Sequence, residues 1–509
     1  MSEHQRPARA FGLETIGMSK IFGPVVALDD VSVSIRAGEL HALLGENGAG
    51  KSTLVKCIMG FYQPTRGSIL VNNRETAIRT TGDAQAAGIG MVYQHFTLVP
   101  CLTAAENMVI ARADAPSIIN WAKEKKALAT FMDTMPFKVP LDTPVSSLAA
   151  GEKQKLEILK QLYLNQRFLI LDEPTSVLTP GEASEILGLV RGMAHAGEIT
   201  VLMITHKFRE VEEFADSVTV LRRGRLAGTG KVGELTKDDM SRMMIGDTEV
   251  RQSAKRAAVN GSRNRLEISG LFVDDDEGNP AVEAIDLKIR AGEIVGIAGV
   301  SGNGQTELVE AIFGQRPVRD GRVFVDGKPF EATREDYETF KVFGLPEEPL
   351  KNAAVSRMTV AENIAFRNFD KPHMASMRWW LKPMQMRQKA QELISRYRVK
   401  TSSPDAPIET LSGGNVQRAI LARELSEEVG VLIVANPCFG LDFASVAEIR
   451  AQIIDQCNKG AAVLLVSEDL DEILEMADRV AVISGGRITY MTPIAAADRN
   501  VIGKHMAGH

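Results

Sequence analysis

Apolar runs of strand length alternate along this chain with stretches whose apolar residues recur at helical spacing, the pattern of a parallel sheet covered by helices. In the first half the clearest strands are expected at Leu40 to Leu44, Phe168 to Leu171, Val201 to Thr205 and Ser217 to Leu221, with a helix over Ser52 to Met59. No apolar run reaches the roughly eighteen residues of a membrane span. The longest, VGVLIVA and AAVLLV, have strand length.

The pattern also repeats on the scale of a whole domain. IRAGEL (Ile35 to Leu40) recurs as IRAGEI (Ile289 to Ile294), and TAAEN (Thr103 to Asn107) as TVAEN (Thr359 to Asn363), offsets of 289 − 35 = 254 and 359 − 103 = 256 residues. Such offsets are far longer than a solenoid period, so two homologous domains are expected in tandem, over 11–250 and 265–505. Between them 251–264 (RQSAKRAAVNGSRN) has almost no large apolar residue. It is expected to be a solvated linker whose four basic side chains keep it extended rather than bind anything.

The strand at Leu40 to Leu44 and the following helix bracket Gly45 to Thr53, GENGAGKST, which meets the phosphate-binding pattern G-x-x-x-x-G-K-[ST]. Gly45, Gly48 and Gly50, with Glu46, Asn47 and Ala49 between them, let the backbone wrap a phosphate with its N–H groups inward, while the new helix offers the positive end of its dipole. Lys51 is expected on the β- and γ-phosphates and Ser52 on Mg²⁺, with Thr53 completing the motif. Ligands of such sheets bind at the carboxyl ends of the strands, where this loop falls.

Two further strands end in chemistry. FLILDE places Asp172 and Glu173 at the mouth of a buried strand, Asp172 to bind Mg²⁺ through its water shell and Glu173 to polarise the attacking water. VLMITH ends in His206, suited to hydrogen-bond a γ-phosphate; alone an imidazole there is more often structural, and the loop and acids make the catalytic reading the better one. Gln94, in MVYQHF, ends another apolar segment and is a weaker candidate for ligating Mg²⁺ and positioning water.

Composition narrows the class. The 509 residues suffice for two to four domains, and 44% apolar with 24% charged residues is ordinary for a soluble globular protein. A net charge of −6 argues against a general nucleic-acid binder. Cys57, Cys101, Cys438 and Cys457 form no C-x-x-C pair, so neither zinc site nor disulfide framework is expected. The polar opening MSEHQRPARAFG lacks the apolar core of a secretory signal, and a cytoplasmic protein is expected.

GENGAGKST, YQHF, LAAGEKQ, LILDEPTS and ITHK, in that order, resemble the ATP-binding subunits of ABC transporters, and LSGGNVQR (Leu411 to Arg418) resembles the signature sequence of that superfamily. The resemblance covers nearly the whole chain from about Phe11. It implies an α/β fold of two tandem P-loop ABC ATPase domains, each a mainly parallel sheet core with an antiparallel β-subdomain and a helical subdomain. The helical parts would lie between Gln94 and Asp172 and between Glu347 and Ala435. Phe22 would stack on adenine, although a Phe before a Gly-Pro turn equally suits packing. Two fused domains with a divergent second copy look like the importer subunits for sugars and nucleosides. That resemblance implies ATP and Mg²⁺ as cofactors, two transmembrane permease subunits docking near Gln94 and Glu347, an extracytoplasmic substrate-binding protein, no nucleic acid, and a peripheral place on the cytoplasmic face of the membrane. QHF and GEKQKLEILKQLY look more like nucleoside-type than sugar-type importers, where HQE-like and GDQQ-like sequences would be expected. Soluble tandem ATPases of the ribosome resemble one another in a long charged linker and two competent sites, and DNA-repair relatives in Cys-rich zinc insertions; this chain has none of these.

The second copy departs at nearly every catalytic position. GVSGNGQTE puts Gln305 opposite Lys51 and Thr306 opposite Ser52; LIVANP puts Ala435 and Asn436 opposite Asp172 and Glu173; Glu468 stands opposite His206 and Glu347 opposite Gln94. LSGGNVQR nevertheless stays intact. The family's head-to-tail pairing would bring the first loop to Ser412, Gly413 and Gly414, with Gln417 in the same signature, and the second loop to LAAGEKQ, where Ala149 replaces the serine. One competent and one degenerate composite site are therefore expected.

Overall fold

The computed structural model describes residues 9–46, 48–94, 96–112, 114–176, 178–205, 207–245, 256–257, 263–300, 302–376, 380–438, 441 and 443–506; Asn47 and His206, both named above, lie outside them. The chain forms two compact units, Met1–Thr248 and Glu249–His509.

In the first unit a six-stranded sheet runs in the order Arg225–Lys231, Ser217–Arg222, Leu40–Gly45, Thr200–Ile204, Phe168–Asp172, Ile89–Val92. All neighbours pair in parallel except the edge strand Arg225–Lys231. Leu40–Gly45 and Thr200–Ile204 are buried along their whole length, which is why they read as unbroken apolar runs rather than alternating ones. Against this core lies a four-stranded antiparallel sheet in the order Val25–Ile35, Leu13–Phe22, Arg66–Val71, Arg74–Glu75. Leu13, Met18, Leu28 and Ile35 from it pack with Leu43, Leu54 and Phe168 of the core sheet and its first helix.

The second unit repeats the topology. Its six-stranded sheet has the order Arg487–Pro493, Arg479–Ser484, Ile294–Ala298, Ala462–Ser467, Val431–Ala435, Val342–Leu345, and its antiparallel sheet starts from Asn264–Asp274 and Pro280–Arg290.

The recurring peptides have local physical reasons. In TAAEN and TVAEN, Thr103 and Thr359 cap helices Ala104–Ile110 and Val360–Ala365 in reciprocal boxes with Glu106 and Glu362. The buried Asn107 accepts the Val99 N–H at 2.7 Å and donates to its carbonyl at 3.1 Å; Asn363 does the same to Val355 at 2.8 and 3.1 Å. The motif therefore fixes the entry to the helical layer in both copies.

Two features differ from the sequence reading. Where the segment expected to be a solvated linker is described, at 256–257 and 263–264, it is tied down: Arg256 pairs with Asp478 and donates to Asn458 at 3.1 Å and to the Gly292 carbonyl at 3.3 Å. Arg263 reaches the Asp326 carbonyl at 2.8 Å, and the first strand of the second unit already begins at Asn264. Basic residues expected only to repel one another thus find carboxylates and carbonyls on the second unit. The helical layer of that unit also contains a two-stranded hairpin, Ala375–Ser376 with Trp380–Leu381, too short to register as a strand pattern.

Candidate functional site

Strand Leu40–Gly45 delivers the loop and helix Lys51–Ile58 takes the chain away. Two glycines are sterically required: a Cβ at Gly45 would stand 2.5 Å from the Leu221 carbonyl, and one at Gly50, where φ is +103°, 2.9 Å from the Ala27 carbonyl. Lys51 is buried, its Nζ donating to the carbonyls of Gly45 at 2.6 Å and Glu46 at 3.1 Å, so the ammonium bridges the loop's entrance. Burial pushes its pKa down, while the carboxylates of Glu173, Asp172 and Glu46 act in the opposite sense. Ser52 is exposed at the first turn of the helix and Ala49 is buried beneath the loop.

Asp172 closes strand Phe168–Asp172, and burial together with the charge of Glu173 raises its pKa against the pull of Lys51 and Lys56. Glu173 follows in the left-handed region, φ +46°, with its N–H donating to the Ile204 carbonyl at 2.9 Å. A residue without glycine's freedom held in that conformation is strained. Gln94, the weaker candidate from sequence, donates its Nε2 to Glu173 Oε2 at 3.1 Å. Lys51, Asp172, Glu173 and Gln94 therefore share one locus at the carboxyl ends of three strands.

Behind this locus lies a cluster that sequence reasoning missed. Glu210 is buried and accepts hydrogen bonds from Thr175 and, at 2.8 Å, from Thr205, with Lys207 Nζ at 3.6 Å. It ties the segment after Glu173 to the strand end that precedes His206. The signal available was a carboxylate at an inward position of helix Phe208–Phe214.

The counterpart in the second unit has the same backbone and different chemistry. Asn436 repeats the left-handed conformation at φ +45°, and its N–H donates to the Val466 carbonyl at 2.8 Å. Its Nδ2 donates to Glu347 Oε1 at 2.9 Å, so amide and acid have exchanged places. Gln305 accepts the Asn303 N–H at 3.1 Å and donates to the Val300 carbonyl at 3.1 Å. An inward N–H that would serve a phosphate is thereby taken by the loop's own side chain. The space left beside Gln305, Thr306, Glu347, Asn436 and Glu468 is about 30 Å³, room for roughly one water.

The two signature helices differ at their starts. Ser412, exposed and in extended conformation, precedes helix Gly413–Glu424, with Gly413 exposed and Gly414 half-buried; its hydroxyl accepts from Asn415 Nδ2 at 2.8 Å. Gln417 is buried, with Oε1 unpartnered. At the matching place in the first unit, Glu152 puts its carboxylate on the Ala149 N–H at 3.0 Å. That helix start is already filled by an anion, which repels a phosphate; the other carries a neutral amide. LAAGEKQ held this signal in its Glu as well as in its Ala.

Phe22 ends strand Leu13–Phe22, about 40% exposed, edge-on to Tyr62 at 5.1 Å between centroids and with Lys20 Nζ 5.0 Å from its ring. In the second unit a cavity of about 760 Å³ opens beside Pro346, between the core sheet and the helical layer. Its wall includes Arg367, which lies over Tyr337 and Phe343 at 5.3 and 4.9 Å and is held by the fully buried Glu424.

The ABC transporter family model matches residues 28–176 and 282–438. The chain is 36% identical over 498 residues to a nucleoside import ATP-binding protein of Lactococcus lactis subsp. cremoris, covering 97% of this chain and 98% of that protein. It is 37% identical to a ribose import ATP-binding protein of Rubrobacter xylanophilus (97% and 98% covered) and to a glucose import ATP-binding protein of Haloferax volcanii (96% and 94% covered). Among solved structures, the complex of archaeal ribosomal stalk protein aP1 with the ribosome recycling factor aABCE1 matches with a TM-score of 0.62 at 19% identity, over 94% of this chain and 90% of that one, a likeness of fold alone.

Proposed function

Because this chain belongs to the ABC transporter ATP-binding proteins, with two such ATPase domains in tandem, we propose that it powers uptake of a nucleoside, hydrolysing ATP at one competent site. The observation that carries the one-sided reading is the contrast between Lys51, a cation held within its loop and facing the charges of Glu173 and Asp172, and Gln305, a neutral amide whose oxygen takes the Asn303 N–H of its own loop.

Lys51 and the loop N–H groups bind the phosphates, Phe22 offers a face for adenine, and Glu173, steadied by Gln94, accepts a proton from the attacking water. The parts given to Ser412, Gly413, Gly414 and Gln417 of the intact signature, and to His206, in receiving the γ-phosphate rest on their motifs alone. The hard oxygen donors of Ser52 and Asp172, with Gln94 near, fit Mg²⁺, which an acid raised in pKa by burial and by Glu173 would favour. Mg²⁺ when bound supplies positive charge against the phosphates and the paired acids.

No described helix is long and apolar enough to cross a membrane, and two permease subunits would supply the path, docking near Gln94 and Glu347. The 760 Å³ cavity beside Pro346 supports a docking groove there. An extracytoplasmic binding protein would deliver substrate, with this chain peripheral on the cytoplasmic face.

For the solute, QHF and GEKQKLEILKQLY support a nucleoside, as do relatives named for nucleoside and guanosine import at 36% identity. A sugar is the second reading, favoured by relatives named for ribose and glucose at 37%. Uptake of labelled nucleosides, pentoses and hexoses by a strain lacking the chain separates them. Loss of nucleoside uptake alone is expected, and normal nucleoside uptake with loss of a sugar overturns the reading.

A further inference from the structure

Strand Leu40–Gly45 delivers the phosphate loop at one end, and its other end opens on a second cavity of the first unit, of about 410 Å³. This cavity lies between strand Val25–Ile35 of the antiparallel sheet and strands Ser217–Arg222 and Arg225–Lys231 of the core sheet, and no phosphate-loop residue lines it. Within it Glu39 Oε1 accepts the Arg36 N–H at 2.9 Å and lies 3.1 Å from His41 Nδ1, while Oε2 accepts from the Ser217 hydroxyl at 3.2 Å. The buried His41 is held at its other nitrogen by Thr219, 2.8 Å away. Burial pushes the Glu39 pKa up, but the hydrogen bonds from His41, the Arg36 N–H and Ser217 outweigh it and hold the group below its ordinary 4.5. The carboxylate is therefore charged at neutral pH, and among the described residues its one ion-pair partner is His41, and that only when the imidazole is protonated.

The second unit has a cation at this place. Strand register makes Ser34, Glu39, Ser217 and Thr229 the counterparts of Lys288, Glu293, Arg479 and Met491. There the Arg479 guanidinium donates from Nε to Glu293 Oε1 at 2.6 Å, from Nη2 to the Lys288 carbonyl, and from Nη1 to Met491 Sδ at 3.2 Å. In the first unit the counterparts of all three acceptors, Glu39, Ser34 and Thr229, line the cavity, and the arginine is replaced by Ser217. The cradle is kept, while the side chain that fills it in the other copy is shortened to a hydroxyl.

We propose that this cavity binds a small zwitterion by its guanidinium group, with Glu39, the Ser34 carbonyl and the Thr229 hydroxyl accepting from the guanidinium nitrogens. A planar fork with donors on three nitrogens fits that set of acceptors, whereas an ammonium is a compact point charge. Partly buried carboxylates are stabilised by an opposite charge, which the second copy supplies from its own chain and the first takes from the ligand. Two acids, Glu39 and Glu234, and two cations, Arg36 and Lys231, line the cavity, so a ligand with a carboxylate beside its guanidinium meets both signs. The inference concerns a site apart from the ATP chemistry and does not rest on the importer reading.

The test is titration calorimetry of the full chain with L-arginine as the probe and L-citrulline, its uncharged isostere, as the control. Saturable binding of arginine is expected, with citrulline weaker by at least about tenfold, the equivalent of one charge-assisted hydrogen bond. Ser217→Arg copies Arg479 and should abolish arginine binding in a chain that still folds, since the second unit is built with that residue in place. Glu39→Gln keeps the shape and removes the charge, and should weaken arginine by a similar factor of about ten or more. No saturable binding of arginine, equal binding of citrulline, or undiminished arginine binding by either folded variant overturns the proposal.

Discussion

Gln94 donates its side-chain amide to the Glu173 carboxylate at 3.1 Å, and the same bridge is built in the second unit from Asn436 to Glu347 at 2.9 Å with acid and amide exchanged. The bridge spans the same two strand ends in both copies. What moved is the base: in the first unit the carboxylate is on the strained residue after strand Phe168–Asp172, and in the second it is on the opposite strand end. The scaffold is kept while its acid is relocated, which leaves the second site with no carboxylate on the residue after strand Val431–Ala435.

Glu173→Gln should therefore leave ATP binding nearly intact and lower turnover by about 10²- to 10⁴-fold, the range for a general base. Two amides would face each other at the bridge, still able to hydrogen-bond, so folding is expected to hold. The measurement is ATP affinity beside steady-state hydrolysis in the assembled transporter. Hydrolysis at the rate of the unmodified chain would remove Glu173 from its assigned role.

Gln305→Lys should release the Asn303 N–H and return a cation to the second loop. Nucleotide retained by the chain is expected to rise without added hydrolysis, because Ala435 and Asn436 still stand where the two acids would be. Parts of one mechanism act as a unit, so restoring one does not restore the rate. Trapped nucleotide counted per chain, with hydrolysis measured in parallel, checks this.

Glu424 is a stability prediction. Burial alone would raise its pKa, but Arg423 and Arg367 overcome burial and hold it below the ordinary value of 4.5. Because the folded value is depressed, the stabilisation is fully present above pH 4.5 and is lost as pH falls through the lower folded value. Glu424→Gln leaves two guanidiniums facing a neutral group and should cost about 3–5 kcal/mol. At roughly 2–4 °C per kcal/mol for a unit of this size, the second unit should melt at least about 6 °C lower, a difference that shrinks in acid. Calorimetry at neutral pH and below pH 4 is the check.

The fold was legible because its information is local. Buried parallel strands are unbroken apolar runs, and the domain repeat announces itself in T-x-A-E-N, whose Thr, Glu and Asn each make backbone hydrogen bonds in both copies. The phosphate loop and the acids were legible for the same reason, each being a short peptide at a strand end. Partnerships between distant segments were not. Nothing in the sequence pairs Gln94 with Glu173, 79 residues away, or Thr175 with Glu210. Arg256 was misread because a basic residue in an apolar-poor stretch looks solvated until the chain brings Asp478 to it. His206 and Asn47 lie outside the described residues, so their roles rest on the motifs.

The most direct test of one-sided catalysis is steady-state ATP hydrolysis by the assembled transporter carrying Lys51→Ala, Ser412→Arg or Gln305→Ala. Lys51→Ala and Ser412→Arg are each expected to remove nearly all activity, by about a hundredfold or more, as for loss of a transition-state donor. Gln305→Ala should stay close to the unmodified rate. A loss in Gln305→Ala equal to that in Lys51→Ala would contradict the account, and survival of Ser412→Arg would contradict the part given to the second unit's signature.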